Sequence, residues 1–403
     1  MYAATDALLI TQHYDPEPTG SGPVCAELAA CLAGREIDLT VLTNRPFYPD
    51  GRVSQDYSGG LRDSERVAGI QVERVDPWLR PGRSAFGRVA SDIVFILRGA
   101  NALLNGRVRR SGLVISVSPS VLTVLLGSVL TRGRGRHVVV VHDIESGMAS
   151  GLGMVRSSFV VNGLKAVERL ALNRADAILA LSKHMKDRLL ELGITTPVHV
   201  VPLWVDTQRI WPLPERTGLP KTILYSGNLG RKQGLRQIID VADELRSFRD
   251  EIRFVIRGNG SERDALEREV GRRGLDNMCF ESLLPPHRLN DGLADGHIHL
   301  VPQNPEAADF AVPSKAFAIM AAGRPFVATA RPGSPLWDMA SESGAFVCVP
   351  PYDIDAFADA VLRLARDEPL RQALGSLGRT FVEQKFSREA VTRQLLHHLE
   401  SST

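Results

Sequence analysis

The chain has 403 residues, of which 44% are hydrophobic and 23% are charged, and this fits two globular domains rather than a disordered protein. The 48 Lys and Arg residues nearly balance the 46 Asp and Glu residues, so the net charge of +2 gives no basis for a nucleic-acid partner. The four cysteines form no CxxC pair, and we interpret all four as reduced residues in or near the core.

The first half of the chain predicts alternating strands and helices. A strand over 7–11 is followed by a glycine-containing loop, a helix over 23–33 and a second strand over 37–43. This alternation is typical of a doubly wound parallel α/β sheet. Further strands are predicted at 70–74, 113–117, 138–142, 177–181 and 198–202.

An uncharged stretch in this half, 111–131, lies between two groups of basic residues. We predict a strand at 113–117 and an apolar helix at 121–130 rather than one membrane span. Two interpretations of the basic groups stay open: a solvated rim, or a patch that contacts an anionic membrane or a phosphorylated acceptor. No secretory signal is recognised, so we expect a cytoplasmic protein, peripheral at the inner face of the cytoplasmic membrane. The basic residues are Arg107, Arg109, Arg110, Arg132, Arg134, Arg136 and His137.

A second cycle of strands and helices begins near Lys221. The proline-containing segment 207–220 is the predicted linker, which gives an N-terminal domain over 1–206 and a C-terminal domain over 207–385. A helix at about 386–403 is a candidate for packing back on the first domain. Two Rossmann-like domains of this kind enclose a cleft where the carboxyl ends of their strands meet. The predicted elements are strands at 222–226, 253–257, 278–281, 298–302, 325–329 and 345–349, and helices at 233–245, 262–273, 313–322 and 354–366.

Gly20 and Gly22 precede the first predicted helix. They are either a plain turn or a loop whose backbone approaches a substrate phosphate or sugar. A dinucleotide-binding fingerprint is not indicated, because Cys25 occupies the place of its third glycine and Thr43-Asn44 closes the second strand without an acidic residue.

Lys232 and Lys315 lie at or near predicted helix starts, where the helix dipole disfavours a cation by about 0.3–1 kcal/mol. A bound anion removes this conflict. We therefore predict that both lysines bind a diphosphate, against the alternative of ordinary exposed residues. Four residues that follow strands are expected at the same edge: Gly227, Asn228, Gly258 and Asn259.

Polar residues that could act on an acceptor follow the strand predicted at 138–142. His142, Asp143 and Glu145 either cap and solvate a loop, or place Asp143 or His142 where it orients or deprotonates an acceptor hydroxyl.

No metal site is predicted. His297 and His299 alternate along a strand, so we expect only one of them to face the interior. The sequence Asp353-Ile354-Asp355 resembles a metal-binding DxD motif, but it opens a helix and predicts an N-cap.

At these residues the sequence resembles glycosyltransferase family 4, whose members are retaining enzymes of GT-B fold, and within it the colanic-acid-type and L-fucosamine-transferase-like enzymes. The similar segments occur in order along nearly the whole chain. They are Gly20-Ser21-Gly22, Tyr48-Pro49-Asp50-Gly51, His142-Asp143-Ile144-Glu145, Pro202-Leu203-Trp204-Val205-Asp206, Tyr225 to Gly234, Val312-Pro313-Ser314-Lys315 and Ala321 to Pro325.

The resemblance implies that Lys232, Ser314 and Lys315 hold the donor diphosphate, and that Gly258 lines the nucleoside pocket. Asn228 stands where many relatives have an arginine. One departure concerns two glutamates that many relatives carry eight positions apart. The matching positions here are Phe310 and Ala318, whose side chains cannot hydrogen-bond a sugar.

The sequence therefore predicts a GT-B enzyme with two facing Rossmann-like domains. It transfers a hexose, 6-deoxy or N-acetylated forms included, from a UDP- or GDP-sugar to a hydroxyl of a polyprenyl-diphosphate-linked or other glycan acceptor, with retention. No cofactor and no metal are expected. A nucleotide-sugar epimerase or hydrolase and a non-catalytic nucleotide-sugar-binding protein remain as alternatives.

Overall fold

The computed structural model describes residues 6–17, 21–34, 37–48, 51–79, 85–118, 120–144, 146–147, 157–306 and 313–400. The chain divides into two compact units, Met1–Val201 with Thr392–Thr403, and Pro202–Val391. Each unit is built on its own sheet with helices packed against it, which is the α/β class that the sequence predicts.

The sheet of the first unit has the strand order β3-β4-β2-β1-β5-β6-β7-β8. Neighbouring strands pair in parallel, except that β3 runs antiparallel to β4 at the edge. The strands are β1 (Asp6–Ile10), β2 (Asp38–Asn44), β3 (Ser64–Val67), β4 (Ile70–Val75), β5 (Ser111–Ser118), β6 (Thr131–Val141), β7 (Ala177–Ala180) and β8 (Val198–Val200).

Parallel strands covered on both faces read as continuous apolar runs, and the central strands of this sheet follow that rule. The connecting helices supply the cover. They are α1 (Gly22–Ala33), α2 (Ala85–Leu104), α3 (Val121–Leu130), α4 (Ser158–Leu172) and α5 (Lys183–Glu191).

Helix α3 has the predicted bounds but does not form a surface patch with the neighbouring arginines. Most of its residues are buried, and Leu126 and Leu130 belong to the core between helices and sheet. Arg107 and Arg132 form ion pairs within the protein. The expected membrane patch at 107–137 is therefore wrong in its apolar part, because that helix faces the core. Among the described residues, no helix is long and apolar enough to span a membrane.

The second unit has a parallel sheet with the strand order β11-β10-β9-β12-β13-β14. Its strands are β9 (Lys221–Ser226), β10 (Ile252–Arg257), β11 (Met278–Glu281), β12 (Ile298–Pro302), β13 (Phe326–Thr329) and β14 (Val347–Val349). Its helices are α6 (Arg236–Glu244), α7 (Arg263–Arg273), α8 (Leu289–Ala294), α9 (Lys315–Ala321), α10 (Pro335–Ser343), α11 (Ile354–Arg366) and α12 (Glu368–Lys385).

Side-chain caps fix the starts of two of these helices. The Asp353 carboxylate accepts a hydrogen bond of 3.0 Å from Ala356 N at the start of α11, which confirms the capping interpretation of the DxD sequence. The Asp367 carboxylate does the same for Leu370 N at the start of α12, at 2.9 Å.

The last helix, α13 (Arg388–Glu400), has contacts with the first unit in its second half. Gln394 donates to the Val200 carbonyl at 3.0 Å, and the Arg136 guanidinium donates to the carbonyls of His398, at 2.8 Å, and Leu399. A guanidinium at these last carbonyls satisfies acceptors that the helix itself leaves unpaired.

Two expectations about single side chains are wrong. His297 and His299 are both buried, and alternation along a strand does not separate them, because residues two positions apart point to the same face. Their rings bond the backbone at Thr222, Arg216 and Leu293. Cys279 is exposed rather than in the core, although all four cysteines are free thiols.

Candidate functional site

Two loops meet at the carboxyl edge of the second sheet, after β9 and β10. Gly227 N donates to the Arg257 carbonyl at 2.9 Å, and Leu229 N donates to the Asn259 carbonyl at 2.8 Å. The Tyr225 hydroxyl donates to the Asn228 carbonyl at 2.7 Å. The structure thus brings together the loops of the four residues that the sequence places at this edge.

Gly227 and Gly258 allow this close approach because they have no side chain. Their φ angles are +140° and +153°, which residues with a Cβ rarely adopt. A Cβ on Gly258 would lie 1.9 Å from the Gly227 carbonyl oxygen, and a Cβ on Gly227 would lie 3.0 Å from Lys315 Nζ. Glycine at these positions therefore lets the Lys315 ammonium reach the backbone of the first loop.

Lys315 is the first residue of α9, and its ammonium group is buried although the residue as a whole is only partly covered. No group among the described residues accepts a hydrogen bond from Nζ. The nitrogen lies 3.6 Å from the centroid of the Tyr225 ring. Burial, and secondly the charge of Lys232, lower the pKa of Lys315 from its ordinary 10.5 to about 7.

Lys232 does not lie at the start of an α-helix as predicted. It lies in a 3-10 turn, Arg231–Gln233, which ends at Gly234 with a φ of +62° before α6 begins at Arg236. A backbone hydrogen bond ties this turn to the segment after β12: Asn304 N–H donates to the Lys232 carbonyl at 3.0 Å. The helix-dipole argument is therefore wrong for Lys232. The positive charge of Lys232 is nevertheless close enough to lower the pKa of Lys315, and two adjacent cations suit an anion site.

Ser314 precedes α9 as its N-cap residue, is exposed and makes no side-chain cap hydrogen bond. Ala318 is a half-buried residue of α9, while Phe310 lies outside the described residues. The side chain of Ser314 is therefore available for a ligand on the helix that carries Lys315.

In the first unit, Gly22 begins α1 and is buried, and Gly20 lies outside the described residues. A Cβ on Gly22 would lie 3.0 Å from Glu17 Cβ. Packing against Glu17 is thus a structural reason for glycine here, beside the binding role that the sequence suggested.

His142 and Asp143 follow β6 and are half-buried, and Glu145 lies outside the described residues. His142 N donates to the Ser118 carbonyl at 3.3 Å. His142 and Asp143 lie at the carboxyl edge of the first sheet, which fits an acceptor-side role for them. Gly22, which the sequence assigns to the donor, follows β1 at the same edge.

Sequence reasoning missed a buried carboxylate at that edge. Glu17 accepts 3.0 Å hydrogen bonds from the N–H groups of Phe47 and Tyr48, and its other oxygen lies 2.7 Å from His13 Nδ1. Glu17 lies about thirty positions before Phe47 and Tyr48 in the sequence, so no short-range sequence motif indicates this contact. The role of Tyr225 beneath Lys315 was missed for the same reason.

Both halves of the chain match known families. Residues 19–204 match the glycosyl transferase 4-like domain, and residues 220–367 match the domain called glycosyl transferases group 1. The chain is 30% identical to the putative colanic acid biosynthesis glycosyl transferase WcaI of Escherichia coli (strain K12) over 404 aligned positions, which cover 96% of this chain and 98% of that protein.

Solved structures share the fold over the whole chain. Sucrose-phosphate synthase from Thermosynechococcus elongatus has a TM-score of 0.77 at 18% identity, with 99% of this chain and 100% of that chain covered. The Anabaena protein HepE in complex with UDP-glucose has a TM-score of 0.69 at 15% identity, with 98% and 99% covered. The fold class is therefore that of GT-B glycosyltransferases, as the sequence predicts.

The packing of Gly258 predicts that Gly258→Ala lowers the free energy of unfolding by roughly 2–4 kcal/mol, because the new methyl group collides with backbone. Gly271→Ala is the matched control. It lies inside α7 with nothing within 4 Å of its Cβ position, and should gain about 0.5–1 kcal/mol. Urea unfolding measures both. Unchanged stability of Gly258→Ala would contradict the packing argument.

The buried ammonium predicts a pH dependence of stability measured without nucleotide. Between about pH 7 and 10.5 the unfolded chain binds a proton at Lys315 that the folded chain does not, so this residue's contribution to stability rises with pH across that window and is constant below it. Urea unfolding should show this rise for the wild type relative to Lys315→Met, which removes the group. Lys385→Met, at a half-exposed lysine, should keep the wild-type slope. Equal slopes for wild type and Lys315→Met would refute the burial.

Proposed function

Because the chain belongs to glycosyltransferase family 4 and is a glycosyltransferase of polysaccharide biosynthesis, we propose that it transfers a hexose from a UDP- or GDP-sugar, with retention, to a hydroxyl of a lipid-linked glycan. The proposal includes hexoses with a 6-deoxy or N-acetyl group, and the acceptor is a polyprenyl diphosphate glycan of the cell envelope. The reaction takes place at the cytoplasmic face of the membrane. The observation that carries the donor part is the buried Lys315 ammonium beside Lys232.

A nucleotide diphosphate is the ligand that these two lysines fit. Burying an ammonium without a hydrogen-bonded anion is costly, and a second positive charge nearby adds to the cost. The Tyr225 ring offsets part of it. A diphosphate supplies the missing negative charge.

The same placement accounts for catalysis. Negative charge grows on the diphosphate as the bond to the sugar breaks, so cations fixed beside it stabilise the transition state more than the bound donor. Lys315 and Lys232 are the catalytic residues of this proposal on the donor side. Ser314, Asn228 and Asn259 bind the donor around them.

On the acceptor side we assign His142 and Asp143 to the incoming hydroxyl. They lie at the carboxyl edge of the first sheet, where α/β proteins bind ligands. A carboxylate or imidazole there orients the hydroxyl and accepts its proton. Glu145 completes the assignment for this side, while Gly20 and Gly22 are assigned to the donor. The family membership favours this transfer reaction over the epimerase and the non-catalytic alternatives.

Lys232→Ala and Lys315→Ala should each lower kcat by roughly 10²–10³ and raise the donor KM much less, since their charge acts mainly in the transition state. The donor is first selected from UDP- and GDP-sugars by thermal shift with the free nucleotides. Donor-saturation kinetics with a polyprenyl-diphosphate glycan then give both constants. Lys385→Ala is the matched control and should leave kcat near the wild-type value. Near-normal kcat in both site variants would contradict the placement of the donor diphosphate at Lys232 and Lys315.

We also expect transfer without a divalent metal, because two lysines can carry the charge role that Mg²⁺ has in other transferases. Initial rates in excess EDTA should stay within about twofold of the rates in buffer. A metal-dependent glycosyltransferase assayed alongside shows that the chelator is effective. Loss of activity in EDTA that Mg²⁺ or Mn²⁺ restores would refute this expectation.

A further inference from the structure

The loop that follows β1, residues 11–17, is held in place by side chains of other elements. Gln12 donates to the Asp92 carboxylate of α2 at 2.7 Å. The Arg74 guanidinium of β4 donates to the Asp15 carbonyl at 2.9 Å. Hydrogen bonds to two different elements fix the backbone of the loop, and a fixed loop can hold a side chain in the geometry that a ligand needs.

His13 is oriented within this loop by a buried acid. Its Nδ1 lies 2.7 Å from one Glu17 carboxylate oxygen, and the other oxygen accepts the N–H groups of Phe47 and Tyr48. A carboxylate has no proton to donate, so Nδ1 carries the hydrogen of its bond to Glu17. The rings of Phe47 and Tyr48 lie against the imidazole, at centroid distances of 5.3 Å and 5.4 Å. These contacts fix the direction of the second ring nitrogen, Nε2.

The Nε2 atom of His13 is left for a ligand. No group among the described residues forms a hydrogen bond with it, and the His13 side chain is 19% exposed. The Glu17 side chain is 1% exposed, and both of its oxygens are bonded. Holding the loop requires only Nδ1, so a purely structural role leaves the orientation of a partly exposed Nε2 without a purpose.

His13 lies where a sheet of this topology binds ligands. The strand order places β2 and β4 on one side of β1, and β5 to β8 on the other. The connections therefore turn in opposite directions after β1 and β5, which opens a crevice at the carboxyl ends of these strands. His13 is three residues past the end of β1, and His142 and Asp143 follow β6 at the same edge.

A hydroxyl group suits this nitrogen. With the hydrogen on Nδ1, the neutral ring has a lone pair at Nε2, which accepts a hydrogen bond from a hydroxyl. A hydroxyl is also an acceptor, so it can still bond Nε2 when the ring is protonated. A phosphate fits less well, because the Glu17 carboxylate beside the ring repels a second anion.

We propose that His13, positioned by Glu17, binds a hydroxyl of the acceptor sugar through Nε2. This hydroxyl is a different one from the reacting hydroxyl, which the proposed function gives to His142 and Asp143. His13 thereby selects acceptors by the configuration of the sugar, and it contributes to acceptor affinity more than to the rate of transfer. The inference rests on the proposed function, since it takes the first unit as the acceptor side.

Acceptor-saturation kinetics of the full chain test the proposal, with polyprenyl diphosphate carrying glucose, galactose or N-acetylglucosamine as the acceptor. His13→Asn keeps an amide near the position of Nδ1 and removes Nε2. It should raise the acceptor KM about tenfold, with kcat and the donor KM within about twofold of the wild type. His13→Gln, whose amide reaches the position of Nε2, should raise the acceptor KM only about threefold or less.

Two cycles separate this contact from a structural effect. With the monodeoxy acceptor that lacks the bound hydroxyl, the wild type and His13→Asn should have equal acceptor KM values, because neither can form the bond. Glu17→Gln should raise the acceptor KM of the wild type and leave that of His13→Asn unchanged, since Glu17 acts on the acceptor only through His13. Melting temperatures of all variants show whether they remain folded.

The matched control is His287→Asn, at an exposed histidine of the second unit, which should leave all three constants unchanged. An unchanged acceptor KM in His13→Asn would overturn the inference alone, because transfer itself would persist. An increase that no monodeoxy acceptor abolishes would also overturn it, since no hydroxyl would then be the partner of Nε2. Absence of transfer to all three acceptors would contradict the proposed function, and the inference with it.

Discussion

The buried ammonium of Lys315 is the constraint around which the second unit is arranged. It lies against the Tyr225 ring and the backbone of Gly227, and it is close enough to Lys232 for the two charges to interact. None of these neighbours offers the ammonium an anion, and the Tyr225 ring offsets only part of the cost of burying it. The arrangement is explained when the site is built for a ligand that brings negative charge. The residues of the site lie at the ends of strands and at the start of a helix, so the positive charge is held in place before a ligand binds.

The first unit uses charge in the opposite sense. Its carboxyl edge holds the buried Glu17 carboxylate, bonded to His13 and to two backbone N–H groups, and His142 and Asp143 lie at the same edge after β6. These groups accept protons and hydrogen bonds, whereas those of the second unit supply positive charge. This division fits a reaction in which one substrate gives up a proton and the other leaves as an anion.

The sequence predicts what depends on local pattern. Helix α3 and the alternation of strands and helices follow from apolar runs and glycines, and the lysines stood out beside predicted helix starts. The edge strand β3 was not predicted, because it has only four residues and three of them are polar. The helix predicted from 233 begins only at Arg236, because the 3-10 turn Arg231–Gln233 ends at Gly234 in a left-handed conformation. Contacts such as Lys315 with Tyr225 join distant residues, and no spacing rule gives them.

The arginines at 107–137 show why charge beside an apolar run is weak grounds for a membrane surface. The run there is a helix of the core, and Arg107 and Arg132 form ion pairs within the protein. Exposed charges are screened by salt over about 8–10 Å, whereas a buried ammonium is screened far less. The exposed arginines of 107–137 and the buried Lys315 ammonium should therefore respond differently to ionic strength.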